Sequence, residues 1–63
     1  MTSSTMLIID YLDKRYHCIG EYKEERVRIE NYDRAGNLQV FIPSRQETAW
    51  VPSEKVTLLE ARR

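Results

Sequence analysis

The sequence predicts an all-β domain: a small barrel of five short strands with a single 3₁₀ turn before the last strand. Three observations carry that expectation. Apolar residues recur with period two through "RVRIENY" (Arg26 to Tyr32) and again through "LQVFI" (Leu38 to Ile42), the spacing that buries one face of a strand. Between these runs stands "DRAGN" (Asp33 to Asn37), whose Asp, Gly and Asn tolerate left-handed backbone. Near the end, Trp50 and Val51 give way to Pro52-Ser53 and then to a second apolar run, the punctuation of a strand, a tight turn and a closing strand.

The elements follow in order. "TMLIIDYL" (Thr5 to Leu12) is an apolar run of strand length, rich in β-branched and aromatic residues. "KRYHCIGEY" (Lys14 to Tyr22) reads as a strand or as an irregular loop ending at Gly20. In the next strand Val27 and Ile29 share one face, and Arg26, Arg28 and Glu30 the other. Leu38, Val40 and Ile42 turn inward on its partner, so the two runs and their glycine-containing loop make a hairpin. A helix over "YKEERVRIENY" is excluded by that alternation. "ETAWV" (Glu47 to Val51) is a fourth strand, "PSEK" (Pro52 to Lys55) one 3₁₀ turn and "VTLLE" (Val56 to Glu60) the closing strand. Val27, Ile29, Leu38, Val40, Ile42, Val51, Val56 and Leu58 are the expected core. Residues 6–60 form the expected barrel, between a flexible start (1–5) and a flexible end (61–63). Closure into a barrel removes sheet edges that so small a core cannot otherwise cover.

Size and charge narrow the function. A chain of 63 residues buries only about 60% of the surface its unfolded form exposes, so its stability margin is thin. Cys18 is the single cysteine, which excludes an internal disulfide and points to a reducing, cytosolic setting. Neither a signal-peptide pattern nor a membrane-length apolar run stands in the sequence. Ten basic and ten acidic residues cancel. A dedicated grip on nucleic acid normally leaves a domain clearly basic, whereas neutrality favours self-association.

"AWVPSEKVTLLE" (Ala49 to Glu60) resembles the end of SH3 domains, where an aromatic and a β-branched residue precede Pro-Ser, a 3₁₀ turn and a Val-led strand. "IIDYLDK" (Ile8 to Lys14) is similar to the opening of that family, with Asp10 and Tyr11 on the last two positions of its Ala-Leu-Tyr-Asp-Tyr motif. The resemblance implies an SH3-like five-stranded small barrel. It does not carry the proline-binding groove: no tryptophan pair follows the acidic loop, and Lys55 stands where the family places an aromatic. A second stretch, "DKRYHCIGEYKEERVRIENYDRAGNLQVFI", resembles the C-terminal β-barrel of Mu-type transposases and retroviral integrases. The matching positions are Arg15, Tyr16, Val27, Arg28, Asp33, Val40 and Phe41. That resemblance implies a noncatalytic module holding DNA or neighbouring subunits; the catalytic domain and the basic excess of those enzymes have no counterpart here.

The residues themselves favour binding over catalysis. His17 and Cys18 are adjacent, and strand neighbours point to opposite faces, so a thiolate–imidazole pair is not expected. Four metal ligands are not assembled by one Cys and one His, and no cofactor is expected. Glu21, Glu24 and Glu25 lie in the charged "EYKEER", which reads as a solvated turn rather than an acid–base pair. The aromatics Tyr11, Tyr16, Tyr22, Tyr32, Phe41 and Trp50 are too many for a small core to hide. Aromatics and arginine dominate interface energy, so Arg28, Tyr32, Phe41, Tyr11 and Trp50 are the candidate contacts for a protein partner, which includes a second copy of the chain. The strict alternation places Tyr32 and Phe41 side by side on the outer face. Arg15, Arg26, Arg28, Arg34 and Arg45 alternate with these rings, the arrangement that grips single-stranded nucleic acid. Glu24, Glu25, Glu30 and Glu47 offset them, so nucleic acid ranks as the second partner.

Overall fold

The computed structural model describes residues 4–63. Helix α1 (Ser4–Asp13) is followed by strands β1 (His17–Tyr22), β2 (Glu25–Tyr32), β3 (Asn37–Ile42) and β4 (Glu47–Pro52). A 3₁₀ turn (Ser53–Lys55) then leads to β5 (Thr57–Arg62). The chain is thus mostly antiparallel sheet, with the single 3₁₀ turn placed before the last strand as the sequence predicts. Residues 1–3 of the expected flexible start lie outside the described residues, and Ala61 and Arg62 continue β5 opposite Cys18 and His17.

One expected strand is a helix. Thr5–Leu12 lies within α1, and the strand that takes its place in the sheet is β1. A continuous apolar run does not by itself separate a strand from a buried helix. Here Ile8, Tyr11 and Leu12 fall three and four residues apart, so helical winding gathers them on one side. Ile8 is fully buried, and Tyr11 and Leu12 pack against the same core, while Met6 and Leu7 stay exposed. The helix ends in paired backbone bonds, from Tyr16 N–H to the Tyr11 carbonyl at 2.9 Å and from Arg15 N–H to the Leu12 carbonyl at 3.0 Å. Arg15 takes the left-handed position at φ 68°, and the Tyr11 and Tyr16 rings meet with centroids 5.0 Å apart. That bond pattern with an apolar clasp is the Schellman ending.

The strand order is β4-β3-β2-β1-β5, antiparallel throughout. The sheet is not closed: β4 and β5 are its two edges and do not pair, so the expected removal of edges is not achieved. Instead the inner face curves around one core of Ile8, Cys18, Val27, Ile29, Leu38, Val40, Ile42, Val51 and Val56. Seven of the eight expected core residues are buried there, and Leu58 packs against it half-buried. Complete burial of an aliphatic side chain such as Ile8 contributes about 1.5–3 kcal/mol, a sizeable share in a domain of this size.

Two bulges set which side chains face out. In β2 the register slips between Ile29 and Asn31, leaving Glu30 as the extra residue. Beside β1 it slips between Ile19 and Gly20, leaving Leu59 unpaired and exposed. Gly20 sits at the second bulge because nothing larger fits. A Cβ there would lie 2.9 Å from both the Thr57 carbonyl oxygen and Ile29 Cδ1.

Candidate protein-binding face

The outer face of the sheet is organised by one cross-strand row. Ile19 of β1 pairs with Arg28 of β2, Arg28 with Phe41 of β3, and Phe41 with Thr48 of β4. All stand opposite the core because their chain neighbours Cys18, Val27, Ile29, Val40 and Ile42 point inward. The Arg28 guanidinium carbon lies 5.4 Å from the centre of the Phe41 ring, a cation–π contact worth about 0.5–1 kcal/mol at an exposed site. Its Nε also donates to Glu30 Oε2 at 3.2 Å. Ile19, Phe41 and Pro43 line a groove of about 260 Å³ with Arg26 and Arg28. Trp50 stands opposite Gln39 in the β3–β4 ladder, diagonal to Phe41, with 50% of its surface exposed. Of the expected partner contacts, Arg28, Phe41 and Trp50 share this face.

Tyr32 and Tyr11 do not join them. The bulge at Glu30 reverses the alternation of β2, so Tyr32 pairs with buried Leu38 and packs against the core. The expected side-by-side placement of Tyr32 and Phe41 is therefore corrected: they occupy opposite faces. Tyr11 lies on α1 against Tyr16 and the core, a consequence of the helix that replaced the expected strand.

The arginines are dispersed. Arg26 and Arg28 alternate on the outer side of β2. Arg15 lies just after α1, Arg34 lies in the β2–β3 turn, and Arg45 lies in the β3–β4 turn, 3.5 Å from Glu47. Arg15 and Arg28 both border an open depression of about 630 Å³, but Asp13 and Glu30 border it too, so its charge is mixed. His17 and Cys18, on the same border, go separate ways as alternation requires. His17 is exposed and Cys18 fully buried, where burial pushes its thiol pKa up. A raised pKa disfavours the thiolate that nucleophilic or metal chemistry needs.

Ile19 and Pro43 are groove residues that sequence reasoning did not single out. Ile19 stood in the segment left open between strand and loop, and Pro43 directly follows the run Leu38 to Ile42. The chain matches no family model, no curated protein and no solved structure.

Proposed function

We propose that this chain is a noncatalytic binding module that associates with a protein, a second copy of itself included, through the outer face of its sheet. The observation that carries the reading is Phe41 on that face, capped by Arg28 and flanked by Ile19 and Pro43. An aromatic–arginine pair beside a shallow apolar groove is the composition of interface hot spots. The SH3 resemblance enters through the fold alone, and the lone buried thiol of Cys18 fits a cytosolic setting. Nucleic acid ranks second, because the arginines spread over a helix end, one strand and two turns.

Phe41→Ser tests the reading. The change leaves the core untouched and removes cross-strand packing of about 0.2–1 kcal/mol, so the variant folds. Self-association by sedimentation, or affinity for a captured partner, falls at least roughly tenfold. A folded variant that assembles and binds like wild type sinks the proposal.

A further inference from the structure

We propose that the groove beside Phe41 takes an extended acidic peptide segment, with two carboxylates, two positions apart, held by Arg26 and Arg28 and their methylene stems laid over the apolar floor; this rests on the reading of the outer face as a binding face. The floor is apolar, formed by Ile19, Phe41 and Pro43, and no acidic residue lines it. Its two cations are held differently. Arg28 spends its Nε on Glu30, while its terminal nitrogens have no protein acceptor among the described residues. Arg26 faces Glu21 across the β1–β2 ladder, yet forms no ion pair among the described residues. The groove thus presents guanidinium donors suited to forked carboxylate recognition.

Spacing adds to charge. Arg26 and Arg28 alternate along β2, so their stems stand about 7 Å apart at ~3.3 Å per residue. An extended peptide repeats its own side chains at that interval, so carboxylates two positions apart meet both arginines. Glu21 and Glu60 occupy the β1–β5 side of these rows. The acidic segment therefore approaches from the β3 side, over Phe41. Stacking on that ring already restrains Arg28, which lowers the ordering cost of binding.

The test is a displayed library of short randomised peptides selected on the intact chain, followed by fluorescence polarisation of the enriched peptides. The expected result is enrichment of Asp or Glu at two positions separated by one residue. For those peptides, R26Q/R28Q, with both changes at exposed positions and folding checked by circular dichroism, raises Kd at least about tenfold. Added salt weakens binding to wild type. Enrichment of neutral or basic peptides overturns the proposal, as does equal binding of acidic peptides to the double variant. If neutral apolar peptides are enriched and Phe41→Ser abolishes their binding, the acidic class falls while the binding face stands. If nothing is enriched, the peptide proposal falls, and sedimentation of wild type against Phe41→Ser judges the binding face separately.

Discussion

The Tyr32 hydroxyl donates a 2.8 Å hydrogen bond to Asp13 Oδ1, tying the end of β2 to the last residue of α1. The accepting carboxylate, first through this bond and then through its charge, raises the Tyr32 pKa above its ordinary value of 10.0. Folding thus favours the neutral phenol. Its contribution to stability is complete below the ordinary phenol pKa and is lost as pH rises through the folded one. Thermal melts of wild type and Tyr32→Phe should differ at neutral pH and converge in alkali. A gap that stays constant across that range removes this bond as its source.

Asp33 makes the opposite prediction at acid pH. Its Oδ1 accepts from the Asn37 backbone N–H at 2.8 Å and the Ala35 backbone N–H at 2.9 Å, and its Oδ2 accepts from Asn37 Nδ2 at 3.1 Å. These donors, the Asn37 backbone foremost, hold the carboxyl below its ordinary pKa of 3.8. The stabilisation is present above that value and lost as pH falls through the folded pKa. Asp33→Asn should melt below wild type at neutral pH, with the difference narrowing in acid. An Asn variant with an unchanged acid profile would show that the turn does not depend on the charge.

Gly20 and Gly36 are needed for different reasons, and asparagine separates them. Gly36 has φ +92° with nothing within 4 Å of a built Cβ, a backbone state that Asn tolerates better than most residues. At Gly20 the obstacle is the Thr57 carbonyl and Ile29, so any side chain overpacks. Urea unfolding should show Gly20→Ala losing about 1–3 kcal/mol and Gly20→Asn at least as much, with Gly36→Asn milder than either. Near-wild-type stability in Gly20→Ala would mean that β1 and β5 do not approach as closely as described.

The β1–β2 turn is poorly matched to its sequence. Lys23 and Glu24 both hold positive φ, 52° and 65°, the two-residue geometry that Asn-Gly fills best. Left-handed backbone costs an ordinary residue about 1–2 kcal/mol. Replacing the pair by Asn-Gly should raise the unfolding free energy by about 1 kcal/mol, even with loss of the cation–π contact in which Lys23 Nζ lies 5.5 Å from the centre of the Tyr22 ring. A decrease would show that the turn relaxes to another form in solution.

The central hairpin was legible because Val27, Ile29, Leu38, Val40 and Ile42 alternate without interruption, and burial enforces that register. The 3₁₀ turn was legible from Pro52-Ser53. Three features were not, the first being that β4 and β5 remain open edges instead of closing the barrel. The run from Thr5 to Leu12 is apolar at both strand and helix spacing, and packing of Ile8 over the inner face decided between them. The phase of Tyr32 was lost because alternation was carried through Glu30. The step from Ile29 to Tyr32 is three residues where the preceding apolar step is two, and that extra position is the trace of the bulge. Arg28 was placed correctly because it precedes the slip, and Phe41 because the alternation of β3 is unbroken; Tyr32 was not because it follows the slip.

The pairing of β5 with β1 sets the order in which this molecule can assemble. Strands β1 to β4 form a meander joined by tight turns, and each forms its ladder with the strand just made. Ile19, by contrast, finds Glu60 only across nearly the whole sheet-forming sequence. Such distant pairing must meet its loop-closure entropy before its contacts return anything, which slows folding. During synthesis β1 therefore waits with one side unpaired while three other strands leave the ribosome, and α1 lacks its contacts with β5 until that strand arrives. The nascent meander is the species most exposed to misassembly with other chains.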